Sequence, residues 1–147
     1  MNYFLDTNII LAYIRKSTLT NQIDKKYTPL AEENSPIISV VSVGEIKSIA
    51  IQNNWGNNKL DLLKKLLDQF LIADINVESI IDKYAEIDAF SQNRLPNNPL
   101  KSSSRNMGKN DLWIAATASV LEAKLLTTDK DFDHLKDKFV DIERFEI

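Results

Sequence analysis

Four acids in this chain stand where a carboxylate can do chemistry: Asp6, Glu45, Asp111 and Asp129. Asp6 directly follows the apolar run Tyr3 to Leu5, and Asp129 closes Leu126-Thr127-Thr128-Asp129. Glu45 falls in the first turn of a helix expected after a second apolar run, Ile37 to Val41, and Asp111 opens the helical stretch Asp111-Leu112-Trp113-Ile114-Ala115-Ala116. Carboxylates gathered in one place repel and raise each other's pKa values. A divalent cation relieves that repulsion, and hard oxygen ligands without histidine or thiolate suit Mg²⁺ or Mn²⁺. Such an ion orients a phosphate and stabilises charge on the leaving oxygen, so a carboxylate-only site points to metal-assisted phosphodiester hydrolysis.

Each acid also has a plainer explanation. Ser42-x-x-Glu45 has the spacing of a capping box. Asp6, Asp111 and Asp129 suit helix N-caps or first turns, where side-chain oxygens and negative charge satisfy the exposed amides. Singly, capping accounts for every one of them. Four acids converging on one rim of a sheet favour a site.

Composition narrows the chemistry. The 147 residues suit a single domain spanning 1–147, with 44% hydrophobic and 27% charged residues, and three glycines and four prolines leave room for long helices. The absence of cysteine excludes disulfides, thiolate metal sites and cysteine nucleophiles, and it fits a reducing compartment. The one histidine, His134, lies in a charged stretch that reads as solvated surface, and no G-x-S-x-G motif is present to pair with it. The N-terminus lacks the basic region and cleavage site of a signal peptide, and no apolar stretch approaches the roughly 18 residues needed to span a membrane. A cytoplasmic location is expected.

The elements that must position the acids follow from apolar patterning. Strands are expected at 3–5, 37–41, 72–75, 125–127 and 139–142, and helices at 8–15, 42–53, 59–71, 77–90, 110–122 and 129–136. Residues 17–35 suggest a further helix disturbed by Pro29, and residues 91–109 a polar loop. Leu60, Leu63, Leu66, Leu67 and Phe70 share one face of their helix, which reads as core or as an interaction groove. Short apolar strands alternating with helices predict an α/β fold whose sheet is parallel and covered on both faces. In such folds ligands collect at the carboxyl ends of the strands, where three of the acids are expected. The fourth, Asp111, comes from a helix that leans over that rim.

The chain resembles the PIN-domain family, and within it the VapC-like toxins of toxin–antitoxin pairs. The matching segments are Phe4-Leu5-Asp6-Thr7-Asn8, Ser42-Val43-Gly44-Glu45, Asn110-Asp111-Leu112-Trp113-Ile114-Ala115-Ala116-Thr117-Ala118 and Leu126-Thr127-Thr128-Asp129-Lys130-Asp131-Phe132. Any one is weak; four in order across nearly the whole chain are specific. The resemblance implies a three-layer PIN-like fold with a central, mostly parallel sheet of four to five strands flanked by helices. It implies Mg²⁺- or Mn²⁺-dependent endonucleolytic cleavage of RNA by Asp6, Glu45, Asp111 and Asp129, with Asp6 and Asp111 as the foremost metal ligands. Thr7 or Asn8, and Thr127, would support the site through hydrogen bonds. A small antitoxin and a second copy of the chain are the implied partners. One departure is the stretch before Asp111, longer and richer in serine and asparagine than the family pattern.

The net charge of −3 argues against general affinity for nucleic acid. Charge is unevenly distributed, however. Residues 91–110 contain Arg94, Lys101, Arg105 and Lys109 and no acid, a local +4 that leaves −7 for the remainder. This stretch leads into Asp111 and can guide phosphates toward it, or it is an ordinary solvated loop. Trp55 and Trp113 are expected to pack rather than to stack on bases. A metal-dependent DNA nuclease or phosphatase uses the same carboxylates, although Thr7-Asn8 after Asp6 disfavours an Asp-x-Asp phosphatase. A non-catalytic binding module, with the acids as caps, is the alternative from another class.

Overall fold

The five strands are β1 (Asn2–Leu5), β2 (Ser35–Ser39), β3 (Leu71–Ala73), β4 (Lys124–Thr127) and β5 (Asp141–Arg144), all present in a computed structural model that describes residues 1–147. They form one sheet of order β3-β2-β1-β4-β5, every pairing parallel. Register is set by buried residues: Phe4 lies opposite Ile37 on one side and Leu125 on the other. A slip by one residue would turn these side chains to the wrong face.

Six helices cover the sheet: α1 (Thr7–Arg15), α2 (Leu19–Lys26), α3 (Val40–Gln52), α4 (Asn57–Leu67), α5 (Glu78–Ser91) and α6 (Lys109–Val120). The short helix expected at 129–136 is a 3₁₀ helix, Lys130–Leu135, following β4. Two cores lie on the two faces. Phe4, Ile37, Ile87, Phe90, Ile114, Leu125 and Phe132 belong to one, and Leu5, Ile9, Ile10, Ile38, Ile46 and Leu126 to the other. Strand residues therefore alternate between cores, the signature of a sheet buried on both sides. Each of these side chains contributes roughly 1.5–3 kcal/mol by its burial.

Three local expectations are corrected. The segment 17–35 is helical only over Leu19–Lys26, because Thr28 adopts a left-handed conformation (φ 46°) just before Pro29 and turns follow. Helix α3 begins at Val40, capped by Ser39, whose Oγ accepts from the Val41 amide. Ser42 and Glu45 therefore lie inside the helix and form no capping box. His134 is half-buried, its ring stacked on Phe90 at 6.3 Å and its Nε2 2.7 Å from Ser91 Oγ. Stacking on a core aromatic removes it from the solvated surface. No helix is long and apolar enough to cross a membrane.

Candidate active site

The strand order reverses direction at β1: the chain moves outward to β2 and β3 on one side, then crosses to β4 and β5 on the other. The loops leaving β1 and β4 diverge there and open a crevice at the carboxyl edge, the usual ligand position in a parallel sheet. Asp6 is the first residue past β1, and Asp129 is the second past β4.

Asp6 is fixed from both sides. Its amide donates to Leu126 O at 3.1 Å, extending the β1–β4 ladder by one bond. Its Oδ1 accepts from the Thr7 amide at 2.8 Å and its Oδ2 from the Thr127 hydroxyl at 2.7 Å. The residue is only 4% exposed. Burial pushes its pKa up, and Asp129 and Glu45 push it further; the bonds from Thr127 and Thr7 oppose that rise without cancelling it.

Glu45 arrives from the second turn of α3, a turn later than its expected first-turn position. Its Oε1 lies 2.9 Å from Thr7 Oγ1, which is also 2.8 Å from Ser42 Oγ. A hydroxyl has one proton and a carboxylate none, so Thr7 donates to Glu45 and pairs with Ser42 through the serine's proton. The residue pair that suggested a cap thus bonds to Thr7, beside the buried aspartate. Thr127 does two tasks: while donating to Asp6 it accepts from the Asp129 amide at 3.0 Å. Asn8, by contrast, is exposed, and its side chain makes no hydrogen bond within the protein.

Asp111 lies in the first turn of α6, whose N-cap is Gly108. Its carboxylate accepts no hydrogen bond from the protein and caps nothing. Its pKa is pushed up to about 7, first by burial and then by Asp6, Asp129, Asp131 and Glu45, in that order. Asp111 is thus the hub on which the charges of the other four acids bear. Asp111, Asp129 and Asp131 each offer an oxygen within 4.8 Å of the others.

Asp131 was missed among the sequence candidates. An exposed acid in a helical turn resembles any surface carboxylate, and its signal was the spacing Asp129-x-Asp131. Asp129 caps the 3₁₀ helix by accepting from the Asp131 amide at 2.9 Å, and this turn swings Asp131 back toward Asp111. Asp6 and Asp129 therefore act as caps, as the plainer explanation held, while belonging to the cluster. Asp111, Asp129 and Asp131, with no nitrogen or sulfur ligand among them, make a donor set that fits a hard divalent cation, and Asp6 and Glu45 add negative charge to it.

The basic stretch borders the cluster at one point. Arg105, Asn106, Met107 and Asp131 line a hollow of about 240 Å³. The stretch is not uniformly solvated, since Leu100 and Met107 are buried. Arg94, Lys101 and Lys109 are exposed. Trp113 packs on Tyr84 with ring centres 4.3 Å apart, and Trp55 lies half-buried beneath Lys59, so both tryptophans pack as expected.

Comparison with known proteins agrees with this geometry. The family model described as "PIN domain" matches residues 3–138. Among solved structures, VapBC2 from Rickettsia felis, bound to a DNA fragment from its promoter, superposes with a TM-score of 0.78 at 22% identity, covering 99% of this chain and 100% of that one. VapBC-1 from nontypeable Haemophilus influenzae gives 0.72 at 26% identity, with 98% of both chains covered. DNA-bound VapBC from Salmonella typhimurium gives 0.71 at 16% identity, again with 98% of both covered. No curated protein matches the sequence significantly.

Proposed function

The chain belongs to the PIN-domain family, and from that premise we propose that it is the cytoplasmic toxin of a toxin–antitoxin pair, an endoribonuclease dependent on Mg²⁺ or Mn²⁺. One observation carries the reading: the Asp111 carboxylate accepts no hydrogen bond and caps no helix, yet it lies within ligand distance of Asp129 and Asp131 and feels the charge of Asp6 and Glu45 as well. Capping alone gives no reason for that convergence.

Asp111 and Asp131, whose oxygens are free of hydrogen bonds, would hold the ion with Asp129; Asp6 and Glu45 complete the negative surround. When bound, the ion supplies Lewis-acid stabilisation of charge at the phosphate. Thr7 and Thr127 keep Asp6 and Glu45 in place. Burial of Asp6 keeps water from screening its charge. In this reading water is the attacking group, activated and oriented by the ion that these carboxylates would hold.

The antitoxin partner is inferred from the neighbours, which are toxin–antitoxin complexes. A groove of about 780 Å³ between α3 and α4 supports it, lined by Ile51, Trp55, Leu60, Leu63 and Leu67 and edged by Lys47 and Lys64. It suits an amphipathic antitoxin segment with acids along its rim. The expected second copy finds support at the sheet edge, where Leu71, Ile72, Val77 and Ile81 are exposed.

The test is cleavage of RNA by the purified protein with Mg²⁺, with Mn²⁺ and with chelator. Single-stranded DNA and a phosphomonoester serve as competing substrates. Metal-dependent cleavage restricted to RNA is expected. Turnover of DNA or of the monoester instead would move the assignment to the corresponding nuclease or phosphatase, and no turnover at all would leave a binding module.

A further inference from the structure

The basic stretch, residues 92–108, joins α5 to α6, and its two ends are held differently. At the start, Asn93 takes a left-handed conformation (φ 58°) and its Oδ1 accepts from the Leu100 amide at 2.9 Å. Near the end, the Arg105 amide donates to Ser91 O at 2.6 Å, and the Ser91 hydroxyl lies 3.4 Å from Met107 Sδ. The same hydroxyl lies 2.7 Å from His134 Nε2. Ser91 and Met107 are both buried. One residue at the end of α5 thus joins the loop to the 3₁₀ helix that carries Asp131.

Nothing in the ribonuclease site needs His134, yet it is held in one state. Its Nδ1 is enclosed without a hydrogen-bond partner. With the proton on Nε2, the chain His134 to Ser91 to Met107 is satisfied, and only a lone pair is left bare. Burial, then the neighbouring Arg105 guanidinium, hold the ring below the usual histidine range against the Asp131 backbone and the Asp131 and Asp133 carboxylates. The ring is a strut between Ser91 and the 3₁₀ helix, and Arg105 is near enough to act on it. Of the three basic residues in the stretch, Arg94, Lys101 and Arg105, Arg105 alone shares a hollow with a member of the acidic cluster. A cation there meets a phosphate approaching Asp111.

We infer that His134 and Ser91 are positioning residues that latch the loop so that Arg105 binds an RNA phosphate beside the acidic cluster. This rests on the ribonuclease reading, and it adds which basic residue engages the substrate and what holds it there.

The latch is tested with a cycle of Arg105→Ala, His134→Ala and Arg105→Ala/His134→Ala on the full chain, together with Ser91→Ala. A lost charged hydrogen bond predicts that Arg105→Ala raises KM for RNA about tenfold with little change in kcat. It also reduces the salt slope of RNA binding by about one phosphate contact. His134→Ala and Ser91→Ala are expected to do the same, the double variant to be no worse than Arg105→Ala alone, and the Mn²⁺-induced rise in melting temperature to persist in all. His134→Gln, whose amide reaches the position of Nε2, restores KM, whereas His134→Asn does not. Trypsin is expected to cut after Arg105 faster in His134→Ala and Ser91→Ala than in the wild type.

Multiplying effects in the double variant, or an unchanged rate of cutting after Arg105, would overturn the latch while leaving RNA cleavage in place. Loss of the Mn²⁺ response together with kcat would also overturn it, by making His134 a support of the acids. A wild type that cleaves no RNA with either metal fails at the earlier step and removes the ribonuclease reading itself.

Discussion

The acidic rim and the basic loop meet at Arg105 and Asp131 but are built in opposite ways. The acids stand just past strand ends and in the first two turns of helices, and both oxygens of Asp6 are held by hydrogen bonds. Arg94, Lys101 and Arg105 stand on a segment with no helix or strand of its own, tied down at Asn93, Leu100 and Met107 and by the Arg105 amide to Ser91 at the end of α5. Like charges repel and must be forced together, which takes rigid, buried elements. Cations that meet a long, variable polyanion need reach, and an exposed loop supplies it. Breaking the first region should therefore affect chemistry, and breaking the second should affect binding.

The largest effect is expected at the hub. Asp111→Asn and Asp6→Asn remove charge from the surround of the ion, which contributes several kcal/mol of transition-state stabilisation. A fall in kcat of about a thousandfold or more, with circular dichroism unchanged, is expected for each. Cleavage at the wild-type rate by either variant would show that the site lies elsewhere.

Metal itself comes next. At a hundredfold excess over Kd, Mn²⁺ should stabilise the wild type by about 2.7 kcal/mol. For a domain of this size that raises the melting temperature by roughly 5–11 °C, measurable by calorimetry. Without metal the sign reverses. Asp111 titrates near 3.8 in the unfolded chain and at about 7 when folded. Between those values the folded state binds more protons, so stability falls as pH rises and levels off above about 7. Asp111→Asn lacks that slope and should melt at or above the metal-free wild type at pH 7.5. A wild type indifferent to Mn²⁺, with Asp111→Asn clearly less stable, would make the acid a structural one.

A smaller change isolates the supports. Thr127→Val keeps shape while leaving Asp6 Oδ2 without its donor and the Asp129 amide without its acceptor. Losing such partners costs about 1–3 kcal/mol. Urea unfolding should show that loss in the metal-free protein. Asn8→Ala, which removes an exposed side chain without hydrogen bonds, should stay within about 0.5 kcal/mol of the wild type.

The contrast between rim and loop also decided what the sequence could reveal. Asp6 and Asp129 were legible because each follows a short apolar run, and strand ends in a parallel sheet are where function collects. Glu45 was placed in the right element for the wrong reason. Ser42 and Glu45 have capping spacing, but Ser39 three residues earlier ends β2 and takes the cap. Asp131 is visible only once the turn is known to be 3₁₀ and closed by Asp129. His134 was misread because its partners, Ser91 and Phe90, are 43 and 44 residues away, and no local pattern announces contacts of that length.

The smallest effect belongs to the loop's outer part. Lys101 is exposed and makes no ion pair, so its removal disturbs no packing, and the melting temperature should hold within the equivalent of about 0.5 kcal/mol. As a point charge over a polyanion it still contributes to binding. Lys101→Ala should weaken RNA binding by a similar factor across sequences and lower the salt slope by about one contact. The rate at saturating RNA should not change, because the acids that carry the chemistry stand on other elements. A titration of a labelled oligonucleotide at four salt concentrations measures the slope directly. If Lys101→Ala keeps the wild-type slope while Arg105→Ala loses a contact, phosphates are bound only where the loop meets the cluster. If both keep it, the loop is ordinary surface, and RNA reaches Asp111 by another face.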